Sequence, residues 1–262
     1  MRRIDVGRPR VRTATSLIIT LAVLMVATRA RAQWSVHADA EYFTWYEHTT
    51  PIEVKEAGPR FAVGMGYLLP KTQGLVFGAQ GRLYGGGVDY EGSFQFDVTE
   101  AARGTSTYLG TTIGTDLRYR WPEALDAVVG LDYDAWRRQL SASQKEEYRV
   151  LSLRLGLERD VPSSPFIVGG GFRFLLATAE EATVEDGGFL YKLDLTPGLG
   201  NNPYLHAGYR VMPRVTVLAY WDGMSMGRSN ELTLVKRGRP QATVSQPPTN
   251  VDYIGVRVSY VW

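Results

Sequence analysis

The sequence contains no cysteine, only three histidines and almost no net charge. Without cysteine there is no disulfide scaffold and no thiolate metal site, and three histidines leave few ligands for a zinc enzyme. Lys and Arg (29) nearly balance Asp and Glu (27), which argues against a nucleic-acid-binding protein. The most apolar segment, Leu17–Ala27, has eleven residues, well short of the ~20 that a membrane-spanning helix needs.

Residues 1–32 have the three parts of a cleavable secretory signal peptide. Five arginines lie between Met1 and Arg12, the apolar segment follows, and Ala30-Arg31-Ala32 has the small residues of a cleavage site. Cleavage near Ala32 would remove seven of the 29 basic and one of the 27 acidic residues, leaving a net charge of −4 on residues 33–262. We therefore expect export and a single mature domain over residues 33–262.

The mature sequence alternates between apolar and polar residues with a period of two, the period of a β-strand. Ten segments of about ten residues show this pattern. The connections between them alternate in length. The short ones are at 70–74, 122–124, 162–165 and 212–213, and the long polar ones are at 47–59, 87–104, 140–147, 179–202 and 227–250. Short turns at one end and long loops at the other are typical of transmembrane β-barrels.

The pattern predicts an all-β fold, a transmembrane antiparallel up-and-down β-barrel of about ten strands. Phe189–Leu195 and Leu232–Val235 also alternate, and we interpret them as extensions beyond the membrane, the second turning at 237–240. If each were a separate span the barrel would have twelve strands. Eight strands is a third alternative.

The polar face of the predicted strands carries an arginine on most strands. A soluble β-sandwich or lipocalin-like barrel could not desolvate these groups in its core without a large cost, whereas a membrane barrel directs them into its lumen. We expect an Arg–carboxylate network that fills the lumen. Its predicted members are Asp39, Glu41, Arg60, Arg82, Asp116, Arg118, Asp132, Asp134, Arg154, Glu158, Arg173, Arg210, Asp222 and Arg257. Arg120 and Arg138 are further lumen bases, and lumen-facing glycines are expected to make room for arginine stems from the opposite wall.

No motif in the sequence specifies an activity. His37 and His206 lie on the lumen face, where Asp39 could orient His37 as a general base, and His48 lies beside Glu47 in the first outer loop. We predict no catalytic residue, no bound metal and no cofactor, and a structural or surface-interaction role. The acidic segment Glu180–Asp186 and the basic tip Lys236–Arg239 are interpreted as solvated loops. A narrow passive channel and a hydrolase within the barrel, using His206 or His37, stay open as alternatives.

The end of the chain resembles the small outer-membrane β-barrel families of Gram-negative bacteria. The alternating residues Ile254, Val256, Val258, Tyr260 and Trp262 match the C-terminal assembly signal of these families, although that signal usually ends in Phe. The resemblance implies insertion into the outer membrane by the barrel-assembly machinery, contact with lipid and lipopolysaccharide, and a monomeric, porin-like barrel. Omptin proteases and lipid A deacylases are hydrolases among such barrels, but they place their sites in outer loops, and the resemblance implies no activity here.

Overall fold

The computed structural model describes residues 33–69, 74–94, 97–121, 125–160, 164–186, 189–236 and 239–262. The predicted signal peptide, residues 1–32, lies outside these residues, as do most residues of the predicted turns 70–74 and 122–124 and half of the turn 162–165. Within the described part of the chain, no helix is long and apolar enough to cross a bilayer.

The described residues form thirteen β-strands. In chain order these are β1 (Gln33–Glu47), β2 (Val54–Leu68), β3 (Gly74–Phe94), β4 (Asp97–Arg120), β5 (Asp126–Gln139), β6 (Gln144–Arg159), β7 (Phe166–Asp186), β8 (Phe189–Leu195), β9 (Asn201–Met212), β10 (Val215–Met226), β11 (Leu232–Lys236), β12 (Arg239–Val244) and β13 (Thr249–Val261).

Ten of these strands close into an antiparallel barrel. Each strand from β1 to β7 pairs with the next, β9 pairs with β7 and β10, and β13 pairs with both β10 and β1, which closes the sheet. The predicted ten-strand barrel is confirmed. Neither additional alternating segment is a separate span: β8 pairs with the end of β7, whereas β11 pairs with β12 in a separate hairpin and does not extend a barrel strand, contrary to the prediction.

The outer surface of the barrel is an apolar belt. Phe61, Val63, Leu109 and Ile254 are each more than 60% exposed. A continuous exposed apolar surface of this kind suits lipid and not water. The opposite parity of the same strands faces the lumen, so the predicted assignment of faces is confirmed.

Gln33, Trp262 and the strand ends next to the predicted short turns lie at one end of the barrel, which is therefore the periplasmic end. Aromatic side chains ring this end: Trp34 contacts Tyr67 with ring centroids 5.0 Å apart, and Tyr119 contacts Trp121 at 4.7 Å. These contacts form the interfacial girdle expected of a membrane barrel.

At the extracellular end the strands run further than predicted. The predicted loops 47–59 and 87–104 are wrong in extent, because β2 begins at Val54 and the β3–β4 pair continues to Phe94 and Asp97. Above the apolar belt both faces of a strand can be polar, so the period-two signal fades while the backbone ladder continues. Gly86 helps β3 to continue: a Cβ there would lie 2.5 Å from the backbone oxygen of Pro59 on β2.

Candidate functional site in the barrel lumen

One wall of the lumen carries an ion-pair cluster centred on β1. Arg257 donates from Nε and Nη2 to the two carboxylate oxygens of Asp39, both at 2.8 Å. Arg60 donates from Nε to Glu41 Oε1 at 2.9 Å. Arg82 lies between the two acids, 3.3 Å from Asp39 and 3.2 Å from Glu41. Three guanidinium groups thus share two carboxylates.

The opposite wall has the inverse balance of charge. Arg173 pairs with Asp222 at 2.6 Å and lies 3.8 Å from Asp134. Arg154 on this wall pairs with Asp132, and Arg118 pairs with both Asp116 and Glu158. Three guanidinium groups here face five carboxylates. The predicted Arg–carboxylate network is therefore present in the lumen.

Two predicted lumen bases lie at the periplasmic rim and not in these clusters. Arg210 pairs with Asp160 at 2.5 Å and donates to the backbone oxygen of Ser164 at 3.1 Å. Arg120 pairs with Asp126 at 2.9 Å. Neither Asp160 nor Asp126 was predicted as a network member. Asp160 directly follows β6 and Asp126 begins β5, so both lie next to turns, where the strand alternation ends.

The side chains that occupy the space beside the lumen glycines differ from those that were expected there. A Cβ on Gly78 would lie 2.8 Å from the Asp116 carboxylate, and one on Gly255 would lie 2.6 Å from the Tyr220 ring. These neighbours come from strands paired with the glycine's own strand, whereas arginine stems from the opposite wall were expected. Gly78 and Gly255 thus make room for an acidic and an aromatic side chain of adjacent strands.

A second charged cluster lies at the extracellular end around Arg138, which was predicted to face the lumen, although its carboxylate partners were not. Arg138 is 1% exposed and binds three carboxylates: Glu47 at 2.7 Å, Glu56 at 2.5 Å and Glu146 at 2.8 Å. All three acids were assigned to outer loops. Glu47 continues the lumen parity of Phe43 and Trp45, so extending the alternation beyond the apolar belt would have found it.

Aromatic side chains pack around Arg138 and close the lumen. Tyr148 stacks on Trp136 with centroids 4.9 Å apart and meets Trp45 edge-on at 5.4 Å. Tyr108 donates to Glu56 at 2.6 Å and Trp45 donates to Glu47 at 2.8 Å. We call this layer the outer plug; it consists of Trp45, Glu47, Glu56, Tyr108, Trp136, Arg138, Glu146, Tyr148 and Glu180.

Glu180 overturns one prediction for the acidic segment. It was interpreted as solvated, but it faces inward from β7 and is 3% exposed, while its neighbour Glu181 faces outward and contacts Lys192 at 3.2 Å. Glu185 is exposed, as predicted. Of the basic tip Lys236–Arg239, residues 237 and 238 lie outside the described residues.

Below the outer plug the lumen is open, so the predicted network lines this part of the lumen and does not fill it. A cavity of about 370 Å³ extends from Ser35, Leu68 and Val261 at the periplasmic rim to Asp134 and Tyr253, and we call it the periplasmic vestibule. Between the vestibule and the plug a space of only about 20 Å³ is left. Among the described residues the vestibule thus reaches the periplasmic rim, whereas the side chains of the outer plug are buried.

The histidines lie apart from the outer plug. His206 lines the vestibule with Nε2 3.4 Å from Glu158, and His37 packs against Gly64 with Nε2 buried and unpartnered. His48 is at the extracellular end, 3.0 Å from the Asn250 amide. Among the residues that the structure describes, no group of three or more His, Asp or Glu side chains is placed to hold a metal ion.

No protein-family profile matches the chain, and no curated protein matches it in sequence. Solved structures do match. The outer-membrane protease OmpT of Escherichia coli superposes with a TM-score of 0.56 over 88% of this chain and 96% of its own, at 10% identity. The chain has the fold of a Gram-negative outer-membrane β-barrel.

Two further matches are also outer-membrane barrels. Neisserial surface protein A matches over 86% of this chain and 96% of its own, at 15% identity and a TM-score of 0.37. The toluene transporter TodX of Pseudomonas putida matches over 95% and 93%, at 12% identity and a TM-score of 0.40. At these identities the likeness concerns the fold of the barrel and not its activity.

Proposed function

We propose that this barrel is a monomeric, non-enzymatic structural protein of the outer membrane, closed to solute passage and presenting its extracellular strands for surface interactions. The outer plug carries the proposal. Trp45, Arg138 and Tyr148 are each at most 1% exposed, and they fill the lumen where the vestibule ends. A barrel whose interior is packed with paired side chains is braced from within and offers no water-filled path.

Conductance tests the closed lumen against the passive-channel alternative. Purified wild-type protein in a planar lipid bilayer at neutral pH is expected to be silent, because ions have no aqueous route past the plug. Trp45→Ala combined with Tyr148→Ala removes two rings of the plug and should produce openings. Trp34→Ala, which removes a ring from the exposed girdle, is the matched control and should stay silent. Regular openings of the wild type at neutral pH would establish the channel instead.

Within the described part of the chain, the hydrolase alternative is supported by the contact between His206 and Glu158. A histidine held by a carboxylate could act as a general base on a substrate entering the vestibule. Any hydrolysis of peptides or lipid esters by the purified protein should therefore be compared with His206→Ala and His37→Ala. Our proposal expects unchanged rates; a loss of hydrolysis in either variant would assign the barrel an active site.

We also propose that the protein is exported after cleavage near Ala32 and assembled through its last strand. The backbone N–H of Trp262 donates to the oxygen of Trp34 at 3.0 Å, so the C-terminus helps to seal the first and last strands. Deleting Trp262 should lower the amount of heat-modifiable barrel in outer-membrane fractions, while Trp262→Phe should preserve it. Equal assembly of the deletion variant would exclude the terminal aromatic residue as part of the signal.

A further inference from the structure

The outer plug has an excess of acidic side chains. Four glutamates, Glu47, Glu56, Glu146 and Glu180, share one guanidinium group, that of Arg138, within the described part of the plug. If all four were ionised, the layer would hold three uncompensated negative charges. Burying unpaired charge is unfavourable because protein solvates an ion less well than water does, so the fully ionised layer is unstable.

Glu180 is the least compensated of the four. The hydrogen bonds of Arg138 go to Glu47, Glu56 and Glu146, and those of Trp45 and Tyr108 go to Glu47 and Glu56. The Tyr148 hydroxyl donates to Glu146 at 3.0 Å and is also close enough to interact with Glu180, but within the described plug no ion pair joins Glu180 to Arg138. Glu180 Oε2 is buried and has no hydrogen-bond partner.

The shape of the plug decides which species can neutralise this excess. No arrangement suited to a metal ion occurs among the described side chains, and the adjoining space of about 20 Å³ holds little more than a water molecule. A proton needs no cavity. It also converts a carboxylate into a donor, which an unpartnered oxygen beside other carboxylates can use.

We propose that protons shared among the plug glutamates keep the outer plug closed, and that their loss at high pH opens it. The proposal rests on the closed-lumen function above and adds its regulation. Titratable or charged groups surround Glu180 on nearly every neighbouring element. Those that act on Glu180 itself are Glu47 on β1, Arg138 on β5, and Glu146 and Tyr148 on β6, while β8 places Leu195 opposite Glu180. Glu56 on β2, Tyr90 on β3 and Tyr108 on β4 interact with Glu146 or Arg138.

The direction of the effect follows from the position of these glutamates. The outward residues level with Glu146 and Glu180 are Arg137, Glu147 and Glu181, so this layer lies above the apolar belt. Burial, aided by the neighbouring carboxylates, raises the pKa of Glu146 and of Glu180 above the usual range of a glutamate. The closed plug therefore binds protons that an open one releases, and closure weakens as the pH rises towards these raised values.

Conductance against pH tests the inference on the full-length mature barrel. Wild-type protein in planar bilayers is expected to be silent at neutral pH and to open repeatedly as the pH approaches about 10, beyond the usual pKa of any carboxyl group. Glu180→Gln keeps the shape of the side chain but cannot ionise. We expect its opening threshold to lie at least about one pH unit higher, a tenfold change in proton concentration.

Glu181→Gln is the matched control, since Glu181 is adjacent, faces outward and pairs with Lys192. It should follow the wild-type profile. A folded wild type that stays silent throughout the range, or equal thresholds for Glu180→Gln and Glu181→Gln, would overturn the proton-dependent plug. Openings of the wild type already at neutral pH would instead overturn the closed-lumen function on which it rests.

Thiol labelling gives a second readout that does not depend on ion flow. Because the chain has no cysteine, Ser152→Cys introduces a single thiol at a position that is 0% exposed, on the same face of β6 as Tyr148 and Glu146. The rate of labelling from the extracellular side should rise between neutral and alkaline pH in both Ser152→Cys and the double variant Ser152→Cys, Glu180→Gln, because the thiol ionises. The rise should be at least about tenfold larger in Ser152→Cys alone, because only its plug opens. Both variants carry the same thiol, so the effect of pH on thiol ionisation is the same in both. Equal rises in the labelling rate of the two variants would contradict the proposal.

Discussion

The two ends of the lumen use the same residue types to opposite effect. In the outer plug one arginine and four glutamates are enclosed by aromatic rings, and Arg138 and Glu56 are almost completely buried. At the periplasmic rim the pair of Arg210 and Asp160 keeps partial contact with solvent, with side-chain exposures of 25% and 28%. A count of Arg–carboxylate pairs therefore does not reveal whether a barrel is closed. The packing of aromatic side chains around the pairs decides it.

The energetic consequences differ in the same way. A buried pair that loses one partner leaves a charge that neither water nor protein can solvate, whereas a solvated pair exchanges its partner for water. We therefore expect substitutions at the outer plug to cost more stability than equivalent ones at the periplasmic end. The following predictions test that difference, starting with the largest.

Arg138→Met should have the largest effect, because it leaves Glu47, Glu56 and Glu146 without their common cation. Removing one partner of a buried ion pair costs about 3–5 kcal/mol. Urea-induced unfolding in detergent, followed by tryptophan fluorescence, measures the loss. Arg210→Met at the rim is the control, with an expected cost of about 0–1 kcal/mol. Equal losses for the two variants would show that the two ends do not differ in burial.

Gly110→Ala should have an intermediate effect. Its Cβ would lie 2.5 Å from the Tyr84 ring and 2.7 Å from Trp136 Cβ, an atom fixed to the backbone of β5. Overpacking of this kind costs about 1–3 kcal/mol. Gly66→Ala meets only the Ser35 hydroxyl within 3 Å, and that side chain can rotate, so its cost should be smaller. The same unfolding assay compares the two, and a larger loss for Gly66→Ala would refute the packing argument.

The pH dependence of stability should change more modestly. Because burial raises the pKa of Glu180, the folded barrel holds a proton that the unfolded chain releases above the usual pKa of a glutamate. The free energy of unfolding should therefore fall as the pH rises from that usual value towards the raised one. Glu180→Gln should flatten this decline and Glu181→Gln should not. Identical slopes for the two variants would argue against a proton on Glu180.

The smallest effect is expected for the rim pair itself. A double-mutant cycle with Arg210→Met and Asp160→Asn should give a coupling energy of about 0.2–1 kcal/mol, which added salt reduces. A coupling well above this range, or one insensitive to salt, would mean that the vestibule is drier than the structure indicates.

The barrel and its lower lumen were predictable because lipid on one side imposes a strict alternation. That alternation alone assigned the apolar residues from Ile254 to Trp262 to the lipid face. It also assigned the arginines from Arg60 to Arg257 to the lumen face. The outer plug was not found, because above the lipid the outward face becomes polar and the alternation no longer contrasts two environments. Glu56, Glu146 and Glu180 therefore looked like loop residues. The neighbours of each glycine depend on strand register, which no local pattern specifies.

A single thiol in the vestibule tests whether the lumen is accessible from the periplasmic side alone. Ser259 lines the vestibule, so Ser259→Cys places the only thiol of the chain there. The variant is reconstituted into liposomes with its extracellular end outward, and a membrane-impermeant thiol reagent is added outside or trapped inside. We predict that at neutral pH the thiol reacts only with the trapped reagent. Reaction at a comparable rate from outside would contradict a lumen sealed by the outer plug.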